Sequence, residues 1–222
     1  TQYGNKEQAK KDADQALELY TEMGHLEKMA RALSLRCAAN AKKGDTQSIK
    51  QAYTDMEETL RLTDSILTEG NNTEGGNYTS HGGWTYSLRK ILVHRINALQ
   101  GGGDAMIVEG LHENALDKYQ KAIDTLKLMG NIPHEEEDKG ALAVAHLRKA
   151  HALSLIMDHE KEEECYNCYM IYVQGLNKGL VQPAAADVLK PCRDVVESYL
   201  TSRNLLSPHY PYPITPGTGF WG

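Results

Sequence analysis

Amphipathic segments of helical period, each closed by glycine and restarted within a few residues, run through this 222-residue chain. Asn5 and Gln8 form a capping-box pattern ahead of a segment ending in "YTEMG", where Gly24 supplies a left-handed stop. The next, "HLEKMARALSLRCAANAKKG", puts Leu26, Met29, Ala30, Leu33 and Cys37 on one face and stops at Gly44. Asp45 then caps a third, with Ile49, Ala52, Tyr53, Met56 and Leu60 at the same spacing, up to Gly70. The stretch 70–83 contains five glycines and reads as a long inserted loop. A fourth helix, "TYSLRKILVHRINALQ", is expected to break at Gly101, Gly102 and Gly103, and Asp104 to cap a fifth that runs to Gly130. Pro133 and "HEEED" read as a solvated linker before "ALAVAHLRKAHALSLIM". After a turn at Asp158 and His159, Cys165, Cys168, Tyr169, Tyr172 and Leu176 share one stripe. A last helix starts near Pro183 and is expected to kink at Pro191. No strand alternation is visible, so the expected fold is all-α: about eight helices in antiparallel hairpins, one domain over 1–206 with an insertion at 70–84, and an extended arm over 207–222.

Charge narrows the function. Lys and Arg number 24 against 30 Asp and Glu, a net charge of −6, with the basic residues scattered. This disfavours binding to nucleic acid or to anionic membranes. No window approaches the roughly 20 apolar residues of a membrane span, and the polar start "TQYGNKEQAKKDAD" is not a signal peptide. The composition suits a soluble protein of the cytoplasm, or of an organelle interior after removal of a targeting segment. Cys37, Cys165, Cys168 and Cys192 are too few for a disulfide scaffold. Asn71 and Asn77 each begin an Asn-X-Thr glycosylation pattern, which points the other way.

The segments repeat. "LELYTEMG" and "IDTLKLMG" both end in Met-Gly, and each is followed by an Ala/Leu-rich helix. "ALDKYQKAIDTL" resembles the second helix of a tetratricopeptide repeat, and "AANAKKGD" resembles the turn of that motif. The resemblance covers about three hairpins, 25–177, with longer helices and inserted loops, and it implies a short α-solenoid. If Asp45, Asp104 and Asp158 mark equivalent turns, the small position of the first helix falls on Cys37, Ile96 and Ala150. The aromatic position of the second helix then falls on Tyr53, His112 and Tyr166. The groove-facing residues this register implies are Arg31, Ser34, Lys42, Lys90, Asn97, Gln100, His151 and Ser154, a polar and mildly basic strip. It loosely resembles the grooves with which family members hold a peptide carboxylate. Stacking would bury each hairpin's apolar stripe at roughly 25 cal/mol per Å².

Catalytic chemistry finds little support. "CYNC" has metal-ligand spacing, but three residues along a helix place both sulfurs on the apolar stripe, and no second pair of ligands stands nearby. "HEEED" and the run after His159 lack zinc-protease and calcium-loop patterns. "GGGD" lacks the Gly-Lys-Ser/Thr of a phosphate loop. The expected function is therefore a non-enzymatic protein-interaction scaffold, an accessory subunit or adaptor of a larger assembly, with no cofactor and no metal. The competing reading is a helical enzyme or small-ligand protein with a pocket near 70–86 containing His81, Trp84 and Tyr86. In the arm, Pro208, Pro211, Pro213 and Pro216 pre-extend a chain bearing Tyr210, Tyr212, Phe220 and Trp221, which suits docking in cis or in trans.

Overall fold

Among the described residues, glycine with positive φ marks a turn, and buried glycine within a helix lets a neighbouring element approach closely. Residues 6–69, 71–73, 77–79, 85–129 and 136–206 are described by the structure, a computed structural model. They fall in two compact units, Thr1–Ile132 and Pro133–Gly222. The division falls at the Pro133 stretch, whose composition interrupts the apolar period.

The first unit contains α1 (Lys6–Glu22), α2 (Leu26–Lys43), α3 (Thr46–Glu69), β1 (Asn71–Thr73), β2 (Asn77–Thr79), β3 (Thr85–Ser87), α4 (Leu88–Val108) and α5 (His112–Met129). α2 pairs with α3 and α4 with α5; α4 also packs on α2 and α3, and α1 covers α2. The expected stops at Gly24 and Gly44 are present, with φ of 64° and 77°. His25 caps α2, its Nδ1 accepting the Lys28 N–H at 3.5 Å. Asp45 caps α3, accepting the Ser48 N–H at 2.9 Å.

The expected break at 101–103 does not occur. α4 continues through the three glycines to Val108, and the chain turns at Gly110, with φ of 75°. There the Gly110 N–H donates to the Ile107 carbonyl (3.1 Å) and the Leu111 N–H to that of Met106 (2.9 Å), a Schellman closure. The three glycines serve close approach. A Cβ on Gly101 would stand 2.8 Å from Cys37 Sγ, one on Gly102 2.1 Å from Met56 Sδ, and one on Gly103 2.5 Å from Tyr119 Cε1. Thus α4 touches α2, α3 and α5 through three consecutive residues. Asp104 does not cap α5. It lies within α4 and accepts the Tyr119 hydroxyl at 2.8 Å.

Moving the turn from Asp104 to Leu111 also moves the register that the resemblance implies. Counted from Asp45, Leu111 and Asp158, the small position falls on Cys37, Gly103 and Ala150 instead of Ile96, and the aromatic position on Tyr53, Tyr119 and Tyr166 instead of His112. Gly103 and Tyr119 are themselves in contact.

Within the expected loop, residues 71–73 and 77–79 are strand. β1, β2 and β3 form a small antiparallel meander in which Asn72 pairs with Tyr78 and Tyr78 with Tyr86. Tyr86, 1% exposed, packs with Ile66 and Ile91, and its ring lies 5.4 Å from that of His25. Tyr86 thus holds β3 to α3, α4 and the α2 N-terminus.

The second unit contains α6 (Glu136–Ile156), a 3-10 turn (His159–Lys161), α7 (Glu162–Asn177), α8 (Pro183–Val188) and α9 (Lys190–Ser202). α6 packs on α7 and α9. Part of the expected acidic linker, from Glu136, is already the first turn of α6. Pro191 does not kink a continuous helix. The helix stops at Leu189, and Pro191 occupies the first turn of α9, where its missing N–H costs no helical bond. Gly175 and Gly140 let elements close up: a Cβ on the first would lie 2.6 Å from Ala143 Cβ, on the second 2.2 Å from the Leu180 carbonyl oxygen.

Candidate functional site

α2 and α4 adjoin through small residues, and this sets the surface they share. The Cys37 thiol points to the Ala98 carbonyl at 3.8 Å, and Gly101 abuts Ala38. Burial pushes the Cys37 thiol well above the usual range, so it is inert packing. On α2 the exposed row contains Arg31, Leu35 and Lys42; on α4 it contains Lys90 and Asn97. Ser34 and Gln100 of the expected strip are buried, and the Ser34 hydroxyl donates to the Arg31 carbonyl at 2.9 Å. His151 and Ser154 belong to the second unit. His151 is half-buried, and Ser154, buried, donates to the His151 carbonyl at 2.8 Å.

The charge on α2 and α4 is one-sided. α2 carries Lys28, Arg31, Arg36, Lys42 and Lys43 against Glu27, and α4 carries Arg89, Lys90 and Arg95 against Asp104. α3 is the reverse, with Asp55, Glu57, Glu58, Asp64 and Glu69 against Lys50 and Arg61. Part of this is consumed internally. Arg36 donates from Nε (2.9 Å) and Nη2 (2.7 Å) to the fully buried Asp55 and from Nη1 to Asp14 at 2.7 Å. Arg95 pairs with Asp64. Arg31 and Lys90 remain on the surface.

The acid of α2 is withdrawn from that surface. Glu27 and His94 are both buried, with Oε1 and Nε2 3.0 Å apart. Burial alone would raise the Glu27 pKa; the His94 hydrogen bond and charge, with Lys28 and Lys90, outweigh it and hold it below the usual value. Burial lowers His94, Arg31 and Lys28 push the same way, and Glu27 only partly restores it. Cations from both helices therefore act on one buried pair.

Of the expected pocket near 70–86, Tyr86 is a core residue, while His81 and Trp84 lie outside the described residues. Tyr210, Tyr212, Phe220 and Trp221 also lie outside them. The two cysteines of "CYNC" are buried in the second unit. The Cys165 thiol donates to the Ala150 carbonyl at 3.4 Å, and burial pushes it up to about 12. Cys168 Sγ lies 3.5 Å from His146 Nδ1, a contact between α6 and α7 that linear spacing does not reveal. Among the described residues no group of three or more His, Cys, Asp or Glu is placed to hold a metal ion, and no helix is long and apolar enough to cross a membrane.

A concavity lies between α6 and α9. It has a volume of about 550 Å³, with Leu155, Met157, Val195, Ser198, Tyr199 and Ser202 on its walls, Asp194 and Arg203 at the two ends of its α9 side, and the expected strip residue Ser154 in its lining. Sequence reading missed it. The available signal was Val195, Ser198 and Ser202 on one face of an amphipathic helix.

No protein-family model matches the chain, and no curated protein is significantly similar to it in sequence. Among solved structures, a de novo designed helical repeat protein is similar over 90% of this chain and 91% of its own, with 15% sequence identity and a TM-score of 0.45.

Proposed function

We propose that the chain is a non-enzymatic interaction scaffold of tetratricopeptide-like hairpins, an accessory subunit or adaptor, whose α2/α4 face takes an acidic peptide segment of a protein partner. The carrying observation is the concentration of cationic side chains on two adjoining first helices of a chain with net charge −6, with the one acid of α2, Glu27, buried against His94. Arg31 and Lys90 offer charge, Asn97 an amide, and Leu35, 54% exposed, an apolar contact on the α2 row. That combination suits a carboxylate-bearing peptide with one apolar anchor. The corrected register, with Tyr at all three aromatic positions, supports the likeness to the repeat family.

The test is peptide binding by fluorescence anisotropy, with acidic and neutralised versions of one peptide set at two salt concentrations. Arg31→Glu and Lys90→Glu together should weaken the acidic peptides by about 100-fold, as expected for two reversed charges, while circular dichroism stays unchanged. Equal affinity for acidic and neutralised peptides, or indifference to the reversals, would sink the reading.

A further inference from the structure

We infer that the groove between α6 and α9 receives a second copy of this chain, the two α9 helices lying antiparallel about a two-fold axis. The groove is in the second unit and the inference does not depend on the α2/α4 reading, so either can fail alone.

The α9 wall of the groove has one charge of each sign and an uncharged middle. It presents two rows of i, i+4 spacing, Asp194, Ser198 and Ser202 in one and Val195, Tyr199 and the capping Arg203 in the other. Asp194 and Arg203 stand at its opposite ends, about 13.5 Å apart at helical rise. The nearby charges Arg193 and Glu197 are spent elsewhere: Arg193 Nε lies 3.5 Å from Glu197 Oε1, and Glu197 also accepts the Tyr169 hydroxyl of α7. In the uncharged middle, Ser198 and Ser202 are exposed and small, which suits the close approach of another helix. Val195, 40% exposed, and Met157, 62% exposed at the end of α6, are apolar surface that such a helix would cover.

The order of these residues is self-complementary. A two-fold contact requires that when residue i meets j, j also meets i. Antiparallel α9 helices centred between positions 198 and 199 meet this condition. Asp194 then faces the partner's Arg203, Val195 faces the partner's Ser202, and Ser198 faces the partner's Tyr199, each pair occurring twice. The two rows exchange places under the operation, so the ridge of one helix lies against the complementary ridge of the other. Parallel pairing would instead set Asp194 against Asp194 and Arg203 against Arg203, and antiparallel pairing also opposes the helix dipoles.

Both charges have capacity for a new partner. The Asp194 side chain is 52% exposed, and its contact with Arg193 is long, at 3.7 Å. Arg203 meets Glu162 through Nε at 3.3 Å and lies over the Tyr199 ring; a guanidinium has five N–H donors, more than these contacts use. A helix of another protein would have to carry an acid and a base at the matching spacing, whereas a second α9 has that spacing by identity.

The experiment is sedimentation velocity on the full chain, in a series reaching about 100 µM, where contacts of millimolar affinity stay mostly unpopulated. A dimer is expected. Asp194→Arg puts like charges opposite each other at both ends of the contact and should weaken dimerisation about 100-fold, as should Arg203→Asp. Mixing these two variants recreates both opposite-charge pairs, in the mixed dimer alone, and should restore association to within about tenfold of the unaltered chain. Val195→Asp, which alters neither pair but buries a charge in the uncharged middle, should weaken the dimer about tenfold; it covers the case in which circular dichroism shows a charge variant unfolded. A monomer throughout the series, a dimer unchanged in a folded variant, or a mixture of folded charge variants that stays monomeric would each overturn the inference.

Discussion

Gly103→Ala separates two accounts of the triple glycine by the sign of its effect. If 101–103 were a helix break, alanine would cost nothing sterically and would restrict the unfolded chain, raising stability by about 0.4–1 kcal/mol. In α4 as it stands, alanine gains about 1 kcal/mol in helix propensity. That gain is opposed by the Tyr119 ring, whose Cε1, Cζ and Cδ1 would lie 2.5, 2.9 and 3.0 Å from the new Cβ. The ring has little room to yield: it is 1% exposed, and its hydroxyl is tied to Asp104. Overpacking of this kind costs about 1–3 kcal/mol. Taking the upper part of that range, the net effect is a loss of about 1–2 kcal/mol.

The neighbouring glycines calibrate the result, since the helix is the same and only the contact differs. At Gly102 the intruding atoms belong to Met56, whose unbranched thioether end can move. Gly102→Ala should therefore come out near neutral, the propensity gain of about 1 kcal/mol offsetting overpacking of about 1 kcal/mol. Tyr119→Leu removes the ring, and in that background Gly103→Ala should become neutral or stabilising, a coupling of about 1–2 kcal/mol. The assay is urea denaturation followed by far-UV circular dichroism, fitted with one transition for each unit. A midpoint raised by Gly103→Ala, or the same loss with and without the Tyr119 ring, would refute the packing argument.

Two further outcomes follow from buried polar groups. Because burial holds the His94 pKa below 6.5, the unfolded chain takes up the proton first as pH falls; this contribution is full above pH 6.5 and is lost as pH drops through the folded value. Glu27, lowered from 4.5, adds a loss at more acid pH. Thermal melts from pH 8 to 5 should thus show the first unit weakening below pH 6.5, less steeply in His94→Gln, and an identical slope in that variant would contradict the assignment. In the second unit the Tyr172 hydroxyl is buried without a hydrogen-bond partner among the described residues. Tyr172→Phe should stabilise by about 1 kcal/mol, seen as a melting point of the second unit higher by about 4–8 °C; a less stable variant would show that the hydroxyl is satisfied.

The sequence was most legible where glycine sits at the end of an apolar period, as at Gly24 and Gly44, because there a left-handed turn and a loss of phase coincide. It misled where these two signals separate. Across 101–103 composition argues for a break, but the apolar phase does not stop: Leu92, Ile96, Leu99, Gly103 and Met106 continue at alternating spacings of four and three, and the four apolar members are buried. Phase reports which face meets the core, whereas glycine content reports only that a side chain is missing, and a missing side chain serves a turn and a tight helix crossing equally well. Had phase been given precedence, the stop would have moved to Gly110, and Tyr119 would have replaced His112 in the repeat register. The candidate surface was legible to the same degree. Helical spacing placed Arg31, Lys42, Lys90 and Asn97 on exposed rows, but it could not show that Ser34 and Gln100 are buried, since that depends on how closely α4 approaches α2. The approach is set by Gly101 against Ala38, so the residues that hid the helix boundary also decide which polar side chains reach the surface.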